Sequence, residues 1–90
     1  DKPNVSGALV QLLKVLLQAV ADRNQVASRL IGSADDVEQL AARPDAPHAI
    51  LEGWRGEIYG SIAQQLIRGE VTLGLEKGRV VTVPRPLAAE

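Results

Sequence analysis

Residues 52–60 read EGWRGEIYG, and they contain the only Trp and the only Tyr of a chain of 90 residues. The same nine residues include three glycines, of which Gly56 and Gly60 fall inside a predicted helix. Each of these two glycines lowers helix propensity by about 1 kcal/mol relative to Ala, so we expect another segment to pack closely over them. The stretch therefore predicts a helix that carries the largest side chains of the fold and approaches a neighbour closely.

The helix around this stretch is predicted to run over residues 53–68, with Gly69 as its stop signal. Four side chains at a spacing of four form one stripe along it: Trp54, Ile58, Ile62 and Leu66. We interpret Trp54, Ile58 and Tyr59 as structural anchors, with the Trp54 ring buried in the first turn, where it plugs one end of an aliphatic core. A role for Trp54 in stacking on nucleic-acid bases is the less favoured alternative.

A strongly apolar helix is predicted over residues 8–23, because its polar side chains fall on one narrow strip. The strip consists of Gln11, Lys14, Gln18 and Asp22. The remaining apolar arc is broader than a surface helix needs. Either the helix is central and has neighbours on two sides, or part of the arc docks on another domain or subunit.

A short helix is predicted within NQVASRLIG, residues 24–32, with Asn24 as the candidate N-cap and Gly32 at its end. A further helix is predicted in the next segment, SADDVEQLAAR, residues 33–43. Ser33 is suited to cap it, and two aspartates follow in the first turn, where carboxylates favour the positive end of the helix.

The segment PDAP, residues 44–47, is predicted to end that helix, and a short helical turn is expected over residues 48–51. After residue 69 the pattern changes from helical spacing to alternation rich in β-branched residues, which predicts a β-hairpin over residues 71–83.

The hairpin loop can be placed in two ways. A three-residue loop, Glu76–Gly78, with the glycine in the left-handed region segregates apolar from polar side chains on the two faces. That register pairs Val71 with Val83, Leu73 with Val81 and Thr72 with Thr82. A two-residue loop at Lys77–Gly78 would instead set Leu73 against Thr82 and mix the faces. We prefer the first register for this reason.

These elements predict a mainly α fold, a small orthogonal helical bundle with a C-terminal β-hairpin. Ninety residues suggest one domain. We place a polar lead-in at residues 1–7, the helical domain at residues 8–83 and a tail at residues 84–90. The chain begins with Asp1 rather than Met, which favours a processed protein or a piece of a longer one.

The residue types present offer little for catalysis or metal binding. The chain has no Cys and one histidine, His48, which lies in a predicted break between helices. The densest carboxylates are Asp35, Asp36 and Glu38, which on one helix cannot surround a metal pair without other ligands. We therefore predict no catalytic residue and no metal site within this chain.

The net charge of −1 argues against a strongly basic nucleic-acid module, although it leaves room for a local patch. Basic side chains occur along the predicted helices at Lys14, Arg23, Arg29, Arg55 and Arg68, and around the hairpin at Lys77, Arg79 and Arg85. From these we select Arg23, Arg29 and Arg55 as candidate contacts to nucleic-acid phosphates.

Three stretches of the sequence, taken together, resemble those of a known family. GWRGEIYG, residues 53–60, resembles the Gly-Trp-Arg-x-Glu-Leu-Phe-Gly stretch near the end of bacterial ribonuclease D, with Ile58 and Tyr59 in place of the usual Leu and Phe. Upstream, LLKVLLQAVADRNQVASRLIGSADDVEQLA is similar to the family's helix, short helix and Asp-containing helix. Downstream, IRGEVTLGLEKGRVVTV resembles the tail of its alphaproteobacterial members. The resemblance covers about residues 8–83.

The resemblance implies a parent enzyme with an N-terminal exonuclease domain, in which four acids hold two divalent metal ions, with Mg²⁺ expected. That domain removes nucleotides from RNA 3′ ends, including those of tRNA precursors. Two helical modules of the helicase-and-RNase-D-C-terminal (HRDC) type follow it, and this chain resembles the last one. The family's catalytic acids have no counterpart among these residues, so no catalytic role transfers to them.

Together, the residues and the resemblance predict a non-catalytic, HRDC-like accessory domain of a ribonuclease D-like 3′–5′ exoribonuclease, docked on the catalytic domain of the same chain and in contact with RNA. The absence of cysteine, of a signal-peptide pattern and of an apolar run long enough for a membrane span favours a cytoplasmic setting. The alternative is a stand-alone helical interaction or dimerisation domain. The Gly56-x-x-x-Gly60 spacing and the wide apolar arc favour it.

Overall fold

A computed structural model describes residues 6–84 of the chain. Helices α1 (Gly7–Asn24), α2 (Ser28–Ile31) and α3 (Ala34–Ala42) come first, and a 3₁₀ turn (Ala49–Leu51) follows them. A continuous helical stretch is made of α4 (Gly53–Arg55), a π-helical turn (Gly56–Gly60) and α5 (Ser61–Ile67). Strands β1 (Val71–Glu76) and β2 (Arg79–Pro84) form an antiparallel hairpin. The predicted mainly α fold with a C-terminal hairpin is confirmed.

The first helix begins one residue before residue 8, and the hairpin ends one residue after residue 83. Helix α1 already includes Gly7, and β2 extends to Pro84. The rest of the predicted lead-in before Ser6 and the tail after Pro84, including Arg85, lie outside the described residues.

Helix α1 is bounded by side-chain and backbone caps. The Ser6 hydroxyl accepts a hydrogen bond from the Leu9 amide at 3.3 Å, and Gln25 ends the helix in the left-handed conformation, with φ at 58°. The prediction that Asn24 caps the next helix is wrong. Asn24 is the last residue of α1, and its side-chain amide donates to the Val20 carbonyl oxygen at 2.9 Å, so it is already used when α2 begins.

Helix α3 begins with the capping signal that its sequence carries. The Ser33 hydroxyl accepts from the Asp36 amide at 3.1 Å, and the Asp36 carboxylate accepts from the Ser33 amide at 2.8 Å. This reciprocal pair satisfies two backbone donors that a helix start leaves open.

The hydrophobic core lies between α1, α3 and the helical stretch that ends with α5. Its fully buried side chains come from every helical element except α4, and the largest are Tyr59, Leu13, Leu16, Ile31, Leu40, Ile50, Val20 and Val37. Apart from Tyr59 all are aliphatic, in keeping with a chain that has no Phe and no Met.

The 3₁₀ turn passes directly over the two helical glycines. A Cβ atom on Gly56 would collide with the Leu51 carbonyl oxygen, and one on Gly60 would lie 2.7 Å from the carbonyl oxygen of Ile50. The close neighbour expected from the sequence is therefore a segment of the same chain. The π-helical turn spans the same five residues, so the helix is widened where the backbone of the 3₁₀ turn approaches it.

The hairpin adopts the register that the sequence argument rejected. Leu73 lies opposite Thr82, and Gly74 lies opposite Val81, so the preferred three-residue loop is wrong. The connection is the two-residue turn at Lys77 and Gly78, with φ values of 53° and 81°. A turn with both residues in the left-handed region matches the natural twist of the strands, and this local geometry prevails over segregation of the faces. Leu75, close to the turn, is 77% exposed.

No helix among residues 6–84 is long and apolar enough to cross a membrane.

Candidate nucleic-acid interface

Trp54 does not plug the core. Its side chain is 45% exposed, so its predicted position as a buried anchor is corrected. The prediction assumed one regular helix, but the π-helical turn at Gly56–Gly60 changes the number of residues per turn within the stripe. Trp54 lies before this turn and Leu66 lies after it, so the two ends of the stripe do not share one face. Leu66, at the other end of the stripe, is buried in the core.

Tyr59, in the π-helical turn, is the aromatic residue of the core. Its side chain is fully buried, and its hydroxyl donates a hydrogen bond to the Leu13 carbonyl oxygen at 2.8 Å. Burial raises the pKa of the Tyr59 phenol above its ordinary value, so the group remains neutral and a donor. Ile58 lies beside it and is partly buried against the same core.

Arg55, the last residue of α4, is bonded to the backbone of α2. Its Nε atom donates to the Leu30 carbonyl oxygen at 2.9 Å, and its guanidinium carbon lies 4.8 Å from the centroid of the Trp54 ring. The second contact has the geometry of a cation–π interaction, which contributes about 0.5–1 kcal/mol at exposed sites. The guanidinium is thus held from two sides.

Leu30, Trp54 and Arg55 form one surface feature, which we call the Trp54 patch. The Leu30 side chain is 53% exposed, and Arg29, also exposed, precedes it on α2. Of the three candidate arginines, Arg55 is thus bonded to the backbone of α2, the helix that carries Arg29.

Arg23, the third candidate, is exposed in the last turn of α1, and no hydrogen bond or ion pair among residues 6–84 joins it to the other two. The ion pair found in this range links Arg68 to Asp45 at 4.0 Å, and both side chains are largely exposed. Arg23, Arg29 and Arg55 thus have no carboxylate partner within the described part of the chain, which leaves their charge available to an anionic ligand.

Sequence reasoning missed the Trp54 patch as a unit. The contact between Arg55 and Leu30 spans 25 residues, and nothing in the local pattern of either segment indicates it. The sequence shows that Arg55 follows Trp54, but it does not show that the Trp54 side chain is exposed.

A second exposed surface lies on α1. The side chains of Leu12 and Val15 are 43% and 42% exposed, while Leu13 and Leu16 beside them are buried in the core. One side of α1 covers the core, and the other presents apolar side chains to solvent. Docking of the exposed side on another domain or subunit stays a prediction.

The described acids and histidine do not converge. Within residues 6–84 no three His, Asp or Glu side chains are placed to hold a metal ion. Asp36 is engaged in the α3 cap, and the His48 ring lies 2.7 Å from the Arg43 carbonyl oxygen. The chemistry that the exposed groups offer is recognition, by a half-exposed ring, a fixed guanidinium and exposed apolar side chains.

Comparison with known proteins gives one consistent answer. The chain is 47% identical over 88 residues to a ribonuclease D of Nitrobacter hamburgensis, 42% over 84 residues to that of Gluconacetobacter diazotrophicus and 47% over 79 residues to that of Acidiphilium cryptum. These matches cover 94%, 93% and 87% of the chain. No family model matches, and no solved structure gives a significant match.

The chain spans 23%, 21% and 20% of the lengths of these three relatives. The resemblance to bacterial ribonuclease D that the sequence motifs carry is therefore confirmed, over a segment of the size of one domain.

Proposed function

We propose that this chain, which is related in sequence to a segment of bacterial ribonuclease D, is the C-terminal HRDC-type accessory domain of a 3′–5′ exoribonuclease that acts in tRNA 3′-end processing. The domain itself carries no catalytic residue. It docks on the catalytic domain of the parent chain, which holds the divalent metal ions, and it contributes contacts to the RNA.

The observation that carries this proposal is the asymmetry of the matches. They take in nearly all of this chain and about a fifth of each relative. A segment that folds around its own core and makes up one fifth of an enzyme is an accessory domain when the catalytic acids lie elsewhere in the sequence.

The exposed side of α1 supports the docking part. Leu12 and Val15 are one helical turn apart and present apolar surface next to a well-packed core. Exposed apolar side chains that share one helix face are common in interfaces between domains. We assign this side of α1 to the contact with the catalytic domain.

Three arginines without a carboxylate partner among residues 6–84 support the RNA part. Arg23 and Arg29 are exposed, and Arg55 is half-buried and bonded to the Leu30 carbonyl oxygen. Contacts of this kind go to phosphates, so they hold RNA without reading its sequence. Because the net charge is −1, binding is expected to be weak and strongly dependent on salt.

Two measurements test the proposal. The native reading frame upstream of Asp1 is expected to encode an exonuclease domain with four metal-binding acids; a frame without such a domain removes the assignment. Binding of single-stranded RNA to the chain is expected at low salt and is expected to be lost at high salt. Absence of binding at low salt rejects the RNA contact and leaves the docking role standing.

The alternative function is a stand-alone interaction or dimerisation domain. The Gly56-x-x-x-Gly60 spacing no longer favours it, because Ile50 and Leu51 of the same chain fill the space over both glycines. The exposed side of α1 still favours this alternative. Sedimentation separates the two functions: a tight dimer without RNA affinity supports the alternative, and a monomer that binds RNA supports the accessory domain.

A further inference from the structure

The Trp54 patch combines a half-exposed aromatic ring with a neighbouring cation. Trp54 leaves 45% of its side chain to solvent, although it is the largest apolar residue in a chain of 90 residues. Large aromatic side chains contribute most to stability when they are buried. A half-exposed one at the start of a helix adds less to the fold, and its exposed surface is open to a ligand.

The neighbouring cation is held in place. Arg55 is fixed through its Nε atom by the Leu30 carbonyl oxygen, and this bond aims the rest of the guanidinium towards the Trp54 ring. A guanidinium fixed in this way loses less side-chain entropy when it binds a phosphate than a mobile lysine does. Arg29, one residue before Leu30 on α2, is exposed.

From this geometry we propose that Trp54 and Arg55 bind one nucleotide of single-stranded RNA, with its base stacked on the face of the Trp54 ring that Arg55 does not cover and its phosphate paired with Arg55. The inference rests on the RNA contact in the proposed function and names the residue that makes it specific for unpaired strands. A base inside a duplex is stacked on its neighbours and does not offer its face to the indole.

The size of the patch favours a nucleotide over a protein partner. Three residues, Leu30, Trp54 and Arg55, match the footprint of one base and one phosphate. A stable protein interface takes roughly 20–30 residues on each side. Glu52 and Glu57 are exposed close to Trp54 along the chain, so the site has little excess positive charge, and stacking must supply a large share of the affinity.

Trp54 is itself the reporter for the test, because it is the only Trp in the chain. The chain is titrated at low salt with a uridine oligonucleotide and with an abasic oligonucleotide of equal length and charge, and Trp54 fluorescence is followed. Stacking predicts quenching by the first and little change with the second.

Variants complete the test, with binding followed by the anisotropy of labelled RNA. Trp54→Leu keeps an apolar side chain but removes the ring, and it is expected to weaken binding about tenfold, or ~1.4 kcal/mol. Trp54→Tyr is expected to retain most of the affinity. Leu75→Ala, which truncates a strongly exposed apolar side chain on β1, is the control and is expected to bind as the parent does.

Three outcomes overturn the inference. If RNA binds while Trp54 fluorescence and the Trp54→Leu affinity stay unchanged, the stacking site is rejected and the phosphate contacts of the proposed function stand. If no RNA binds at low salt, both the stacking site and the RNA contact fail. If the fluorescence responds to the remainder of a ribonuclease D chain and to no oligonucleotide, the patch is a protein-docking surface.

Discussion

The Tyr59 hydroxyl donates a hydrogen bond to the main-chain carbonyl oxygen of Leu13, 46 residues earlier in the chain, at 2.8 Å. This bond joins the π-helical turn to the middle of α1, and both residues are fully buried. The ring packs in the core, and the buried hydroxyl has a hydrogen-bond acceptor in the Leu13 carbonyl oxygen. Tyr59, rather than the larger Trp54, is therefore the aromatic residue on which the packing depends.

Truncation of Tyr59 is expected to be far more costly than truncation of Trp54. Tyr59→Ala opens a cavity in the core and should lower the free energy of unfolding by about 3–5 kcal/mol. Tyr59→Phe keeps the ring and removes one hydrogen bond, which should cost about 0.5–1.5 kcal/mol. Urea unfolding of the variants measures these differences. A larger loss for Trp54→Ala than for Tyr59→Ala would contradict the assignment.

Alkaline pH should destabilise the fold through Tyr59. Burial raises the pKa of its phenol from the ordinary 10.0, so the folded state keeps the proton that the unfolded state releases. The stabilisation that comes from the neutral form is complete below about pH 10 and is lost as the pH rises above it. Since lysines titrate in the same range, the informative quantity is the difference in unfolding free energy between the parent and Tyr59→Phe. That difference should shrink as the pH rises above 10; a constant difference would show that the phenol ionises alike in both states.

Gly56 and Gly60 are expected to resist substitution by alanine. Although alanine is the better helix former, its Cβ at either position would press on the backbone of the 3₁₀ turn, and overpacking of this kind costs about 1–3 kcal/mol or more. Gly7→Ala in the first turn of α1 is the control, because its Cβ meets nothing within 4 Å. Thermal unfolding should show losses at Gly56 and Gly60 and a neutral or stabilising effect at Gly7. Equal effects at all three would mean that the 3₁₀ turn does not lie against the helix.

The two-residue hairpin turn predicts an unusual stabilising change. Lys77 adopts a φ of 53°, a conformation that costs an ordinary residue about 1–2 kcal/mol. Lys77→Gly or Lys77→Asn should relieve part of this cost, and Gly78→Ala should add to it. If the three-residue loop were present instead, Lys77 would lie in the right-handed region, and Lys77→Gly would destabilise the hairpin.

Local signals in the sequence predicted local structure. Ser33 with Asp36, Gly69 after α5 and the period change at residue 71 each depend on a few neighbouring residues, and they lie where expected. The close approach over Gly56 and Gly60 was also predicted, because a glycine pair inside a helix has a cost that something must offset.

Contacts between distant segments could not be predicted from the sequence. The exposure of Trp54 depends on the π-helical turn that interrupts the stripe, and the bond from Arg55 to Leu30 depends on how α2 packs. The hairpin register failed for another reason: segregation of faces was weighed above turn geometry, and in a two-stranded sheet with few buried residues the turn decides.

The central claim is that this chain works as an accessory domain of an exoribonuclease, and a domain exchange tests it most directly. The matching segment of the Nitrobacter hamburgensis ribonuclease D is either deleted or replaced by this chain, and the rate of 3′-end removal from a tRNA precursor is measured. We predict that the deletion slows the reaction and that the replacement restores a rate close to that of the intact enzyme. A replacement no faster than the deletion would contradict the claim.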